Sequence, residues 1–322
     1  MKKFVILLLL LSTLFNCTIL NDKEQPSSDE GKIVFSMPES PDRGTYQIYK
    51  MNPDGSGQIK LTNIKKGGAY DPAWSPDGKQ IAFTSSQKST SVGHSLYLMD
   101  ADGANKRPMK LLPDNNKIAY SGNYPNWSPD GEKIAYSFCN DCNSFGLNDD
   151  ILIYDTTSDS IYSVFTHPAS DTSPKWSPDG ESIAFTSNRD YYQSIEDSAN
   201  TDIYLIDATG TNLRRLTDTG NAGRQLWFSS GEELLYWSEN QLFRLNIETN
   251  NSELIPVNLS SEIGFRPLSF VEGDNKILLD TFSFDSSKRE HSLYILDLVT
   301  QELTKIKSAN YFFGASWSEK EN

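Results

Sequence analysis

One motif returns along this chain at nearly even intervals, and a recurring unit decides architecture before local propensity matters. Residues 71–85 read DPAWSPDGKQIAFTS, residues 124–137 YPNWSPDGEKIAYS and residues 173–187 SPKWSPDGESIAFTS. Weaker copies follow, WFSSGEELLYW over 227–237 and PLSFVEGDNKILL over 267–279, and the fragment GASWS stands at 314–318. Aligned on Trp74, Trp127, Trp176, Phe228, Phe270 and Trp317, the copies are 53, 49, 52, 42 and 47 residues apart. A period of about 49 residues accommodates four strands and their turns.

Within each period the order is the same. A short strand ends in Trp or Phe and meets Ser-Pro-Asp-Gly, where Pro presets φ and Gly takes the positive φ that a tight reversal needs. An apolar strand such as Gln80–Thr84 follows, then a loop, an alternating strand such as Ser95–Asp100, a second turn at 100–103, and a fourth strand such as Asn212–Thr217. The pattern predicts an all-β chain, a six-bladed propeller of four-stranded antiparallel blades over residues 32–318, with a tail at 319–322. Lys32–Met37, Thr45–Met51 and Gln58–Thr62 supply a blade lacking its first strand, and Phe313–Ser318 is a first strand with nothing after it. Pairing of that C-terminal strand with the N-terminal blade closes the ring and hides two sheet edges.

The N-terminus reads differently. Lys2 and Lys3 precede an apolar run, Phe4–Leu11, too short to span a bilayer and laid out like the core of an export signal. Leu14-Phe15-Asn16-Cys17 resembles the lipobox of bacterial lipoproteins, although Phe15 and Asn16 depart from its small residues. Residues 1–16 are therefore read as a lipoprotein signal peptide, Cys17 as the lipid attachment and 17–31 as a polar, flexible tether. The formal charge is −14, from 29 Lys and Arg against 43 Asp and Glu. Nucleic acid, which is bound through clustered cations, is excluded as a partner. An anionic membrane surface would repel the chain, so membrane contact comes through the anchor alone. Thr18 and Ile19, without an Asp after the Cys, place the expected protein in the bacterial cell envelope at the outer membrane, facing the periplasm or the surface.

The W-S-P-D-G-x-x-I-A-F-x-S repeats resemble the propeller repeat of TolB, a periplasmic member of the Tol-Pal envelope system, over roughly residues 31–318. They are also similar to propeller segments of prolyl-oligopeptidase-type peptidases and oligogalacturonate lyases, so the repeat specifies the blade better than the activity. TolB carries an α/β domain ahead of its propeller, and the expectation here is a relative lacking it. The resemblance implies a lipid-anchored, non-enzymatic scaffold that binds an envelope protein or a peptidoglycan-linked lipoprotein. The alternative is a glycan-active or glycan-binding propeller.

The chain has no G-x-S-x-G, H-E-x-x-H, Walker or G-x-G-x-x-G motif, so no catalytic residue, metal or cofactor is assigned. His94 and His291 fall in loops between second and third strands and His167 between blades, all opening on one face; they are read as solvated rather than metal-binding. Cys139 and Cys142, placed in the loop 138–143, form a small disulfide or stay as thiols. Asp77, Asp130 and Asp179 cap their turns, and the Trp residues pack between blades. On the long-loop face, 87–93, 139–149 and 188–201 are dissimilar and polar, and Arg189, Tyr191 and Tyr192 join the three histidines as candidate partner-binding residues. Asp71, Asp171, Lys175, Arg224 and Arg266 are read as a mixed-charge channel mouth.

Overall fold

The computed structural model describes residues 31–40, 45–86, 95–109, 120–139, 149–192, 200–285, 290–312 and 314–318. Among them, 24 strands form six four-stranded antiparallel sheets. Blade 1 is closed as the repeat predicts: Ala315–Ser318 pairs with Lys32–Pro38, Lys32 opposite Ser318 and Phe35 opposite Ala315. Gly31 already belongs to this junction. It is buried, and a Cβ on it would collide with the Trp317 ring and the Ser318 carbonyl, so the blade takes in the last residue of the expected tether.

The second strand of each blade shows why the repeat carries I-A-F rather than an apolar-polar alternation. Side chains alternate across a sheet, and a strand buried on both faces needs apolar residues at every step. Ile81 and Phe83 pack in one cluster with Val34, Ile48 and Trp74, while Ala82 between them joins the opposite cluster with Trp127. Ala135 shares a cluster with Trp176 in the same way. The small Ala leaves volume for the indole of the next blade. Where that indole becomes Phe270, the Ala becomes Leu235. The core is thus a ring of inter-blade layers.

The Ser-Pro-Asp-Gly turns satisfy themselves. In the turn at 75–78 the Ser75 hydroxyl donates to Asp77 Oδ1 at 2.7 Å, the Lys79 N–H to the same oxygen at 3.1 Å, and the Gly78 N–H to the Ser75 carbonyl at 3.0 Å with φ +70. Asp130 and Asp179 repeat the arrangement, and the Ser hydroxyl and backbone N–H groups hold both carboxyls below the usual range.

Register corrects one alignment. Trp74, Trp127 and Trp176 lie opposite Ile81, Ile134 and Ile183, and in blade 5 it is Trp227 that lies opposite Leu234. Phe228 takes the place of the turn Ser. A slip of one residue exchanges sheet faces, and Phe228 accordingly packs on Phe270 with ring centroids 4.9 Å apart.

Candidate functional site: the axial cavity

The six innermost strands surround the axis. Ala69–Trp74, Tyr120–Trp127, Asp171–Trp176 and Gly223–Trp227 each carry a β-bulge three residues before the Trp. The bulged residues Asp71, Tyr124, Ser173 and Arg224 have φ of 47, 57, 54 and 55, and Gly314 matches them in blade 1 with φ 67. Each non-glycine residue there costs about 1–2 kcal/mol, and bulges of this kind re-aim side chains. In blade 6 the equivalent position is Pro267, whose ring forbids positive φ, and the register shift falls between Pro267 and Ser269 instead.

The wall is tied together between blades. Trp127 Nε1 donates to the Ala73 carbonyl at 3.2 Å and Trp227 Nε1 to the Lys175 carbonyl at 3.0 Å. The fully buried Gln225 donates to the Ser173 carbonyl at 2.7 Å and accepts from the Thr186 hydroxyl at 3.0 Å. Inside the wall lies a cavity of about 310 Å³ lined by all six innermost strands, among them Asp71, Tyr124, Ser173, Lys175, Arg224 and Gly314.

Charge is concentrated here. Burial pushes the Asp71 carboxyl up to about 6 against the pull of Arg224 and Lys175. Burial also brings the Lys175 ammonium down to about 8; Asp71 opposes that and Arg224 adds to it. Arg224 is lowered by burial and by Arg266. Tyr124 keeps 39% of its surface open, yet burial and then Asp71 raise its hydroxyl, because that surface faces the protein-walled cavity.

Of the five residues read as a channel mouth, Asp71, Lys175 and Arg224 line the cavity. Arg266 lies behind it, its guanidinium 4.6 Å from the Phe282 ring centroid. Asp171 does not belong. It is fully buried and accepts from Arg189 Nη2 at 2.8 Å. That pairing also corrects Arg189 as a partner-binding residue: its side chain is 8% exposed and lies over the rings of Tyr204, Phe165 and Phe185 at 4.8, 5.1 and 5.2 Å.

Tyr191 is likewise engaged, donating to Asp202 at 2.8 Å and accepting from Arg215 at 2.7 Å. His167 lies between blades as expected and meets Tyr192 edge-on at 5.4 Å. Its Nδ1 accepts from the Ala169 N–H at 3.1 Å, and burial followed by Arg189 lowers its pKa. His291 is not a solvated loop residue. It opens the third strand of blade 6, buried, with Nδ1 3.0 Å from Asp280 and its ring 4.5 Å from that of Tyr311. Cys139 ends a strand opposite Asp149 rather than lying in a loop. His94, Cys142 and Cys17 lie outside the described residues.

Tyr124, Ser173 and Gly314 were not singled out by sequence reasoning. For Tyr124 and Ser173 the signal was the residue-Pro pair three positions before Trp, Tyr124-Pro125 and Ser173-Pro174 as in Asp71-Pro72, whereas Gly314 is followed by Ala315. Among the described residues no group of three or more His, Cys, Asp or Glu could hold a metal ion.

Residues 87–318 match the family model PD40, the TolB β-propeller domain. The "Uncharacterized peptidase YuxL" of Bacillus subtilis (strain 168) is 30% identical over 102 residues, 32% of this chain and 14% of that protein. The "Tol-Pal system protein TolB" of Alcanivorax borkumensis is 25% identical over 118 residues, 36% of this chain and 25% of that protein. The chain thus spans only a minor part of the length of these relatives. The crystal structure of TolB from Acinetobacter baumannii superposes with a TM-score of 0.67 at 19% identity, over 91% of this chain and 68% of the other, a likeness of fold.

Proposed function

This chain belongs to the TolB β-propeller domain family, and from that premise we propose that it is a non-enzymatic binding propeller of the bacterial cell envelope. It is exported, anchored by acyl chains on Cys17, and docks an envelope protein on the face that carries its long loops. The observation that carries this reading is the difference between the two faces of the ring. On one face the Ser-Pro-Asp-Gly turns spend their polar side chains on one another and on their own backbone. On the other, the connections between second and third strands and between blades vary in length and composition from blade to blade, which is where propellers place recognition. The charged groups at the axis, Lys175 and Arg224 beside Asp71 with Arg266 behind them, support a binding role.

Crosslinking in intact cells tests the docking face. Shortening 87–93 and 193–199 is expected to abolish recovery of the crosslinked envelope protein, while Asp130→Asn on the turn face leaves it intact. Undiminished recovery from the loop-shortened protein would refute the assignment. Lipidation is tested separately by metabolic labelling with a fatty acid: the chain takes label and Cys17→Ser does not.

A further inference from the structure

The axial cavity holds two cations with no close ion-pair partner among the described residues. Among the described residues neither Lys175 nor Arg224 makes a side-chain hydrogen bond, or an ion pair within 4.0 Å. Arg266 stands behind Arg224 as a third positive charge. Against them are Asp71 on the wall and Asp280, which acts on Arg224 more strongly than Asp71 does but is also engaged by His291. This happens in a chain with formal charge −14. Such a chain has carboxylates to spare for neutralising a structural cation, yet these cations are left unpaired at the one place all six blades share.

The remaining wall is mixed, with Asn126, Ser269 and Ser316 on its polar part and an aromatic and aliphatic stretch beside them. Trp74, Trp176, Trp227, Leu226, Leu268 and Phe270 line the same cavity, whose volume of about 310 Å³ lies at the small end of ligand sites. Arg224 is held there on a left-handed bulge, and strained backbone gathers at ligand clamps. A guanidinium and an ammonium next to an indole and aliphatic stretch suit a monoanion on an apolar body, because the ligand then satisfies the cations without bringing charge against the apolar part of the wall. A planar carboxylate matches the guanidinium fork.

We propose that the axial cavity is a binding site for a small carboxylate with an apolar body, held by Arg224 and Lys175, with Asp71 competing for the same cations. This goes beyond docking on the loop face and stands whether or not a protein partner binds there.

The test is titration of the full mature chain by calorimetry and tryptophan fluorescence, since three indoles line the wall. The probes are 3-phenylpropionate, its neutral amide and inorganic phosphate. Saturable binding of the carboxylate is expected, with the amide and phosphate at least about tenfold weaker, equivalent to about 1.4 kcal/mol. Arg224→Gln and Lys175→Gln each weaken the carboxylate by about tenfold or more, and Asp71→Asn strengthens it. Among the described residues these side chains make no hydrogen bonds, so the variants are expected to fold, which unchanged melting curves verify. Absence of saturable binding to both the native chain and Asp71→Asn up to about 10 mM, a limit corresponding to about −3 kcal/mol, overturns the proposal. So does an amide or phosphate that binds as well as the carboxylate, or binding indifferent to Arg224→Gln.

Discussion

Replacing Arg189 by Met separates a buried structural ion pair from a surface recognition residue. The guanidinium is 8% exposed, its Asp171 partner 0%, and the bond between them is 2.8 Å. Nε also donates to Ser187 Oγ at 3.0 Å. Among the described residues Asp171 Oδ2 has no hydrogen-bond partner even in the intact pair. Met fills the space among Phe165, Phe185 and Tyr204 but leaves a carboxylate buried without compensation, which costs about 3–5 kcal/mol. A propeller of about 290 residues unfolds with an entropy near 2.1 cal/mol/K per residue, about 0.6 kcal/mol/K in all, so the melting temperature should fall by about 5–8 °C. An exposed Arg would change it by about 1 °C or less.

The pH dependence carries a second check. Burial raises Asp171 to about 6 despite the opposing pull of Arg189. A carboxyl whose folded pKa lies above its unfolded value stabilises the fold fully below the unfolded pKa, and that stabilisation is lost as pH rises through the folded one. In Arg189→Met the proton is held still more tightly. The penalty is therefore expected to be large near pH 7.5 and much smaller near pH 5, where Asp171 is neutral, and Asp171→Asn in the same chain should recover most of it at pH 7.5. The assay is thermal unfolding followed by calorimetry or circular dichroism. A melting temperature within about 1 °C of the native value, or a loss equal at both pH values, would refute the buried-pair argument.

Carboxylate affinity at the axis should rise as pH falls through about 6, where Asp71 takes a proton and stops competing, and fall as pH rises past about 8, where Lys175 loses its charge; calorimetric titration across this range checks it, and a flat profile would contradict the assignment. Gln225→Ala leaves the Ser173 carbonyl and the Thr186 hydroxyl without their partner between blades 4 and 5, and is expected to cost about 1–3 kcal/mol in urea unfolding. Ending the chain at residue 310 removes the closing strand opposite Lys32–Phe35, and should add larger, self-associating species to the size-exclusion profile through the exposed edge. Cys139 and Cys142, if bridged, make the intact mass two hydrogens lighter than the all-thiol value, which non-reducing mass spectrometry reads directly.

The architecture was legible in the chain because its determinants are local and repeated. Ser-Pro-Asp-Gly closes its own hydrogen bonds within five residues, and Ile-Ala-Phe states in three letters that both faces of a strand are covered. Five complete copies, three strands at one end and one at the other then leave the ends one way to meet. The cavity was legible only in part: Lys175 and Arg224 could be placed on first strands by counting, but the bulge that turns Asp71, Tyr124, Ser173 and Arg224 is set by register with the neighbouring strand. In the degenerate fourth copy, WFSSG of blade 5, local pattern allowed two alignments, and only pairing with Leu234 and the packing of Phe228 on Phe270 chose Trp227. The fates of Arg189, Asp171, His291 and Asp280 were undecidable from sequence for the same reason. Local spacing tells a charged residue which strand or loop it belongs to, whereas its partner is supplied by a residue on another segment, 18 positions away for Arg189 and 11 for His291. Turn chemistry and alternation of burial are thus written in the chain, and pairing of charges across segments is decided by the packed ring.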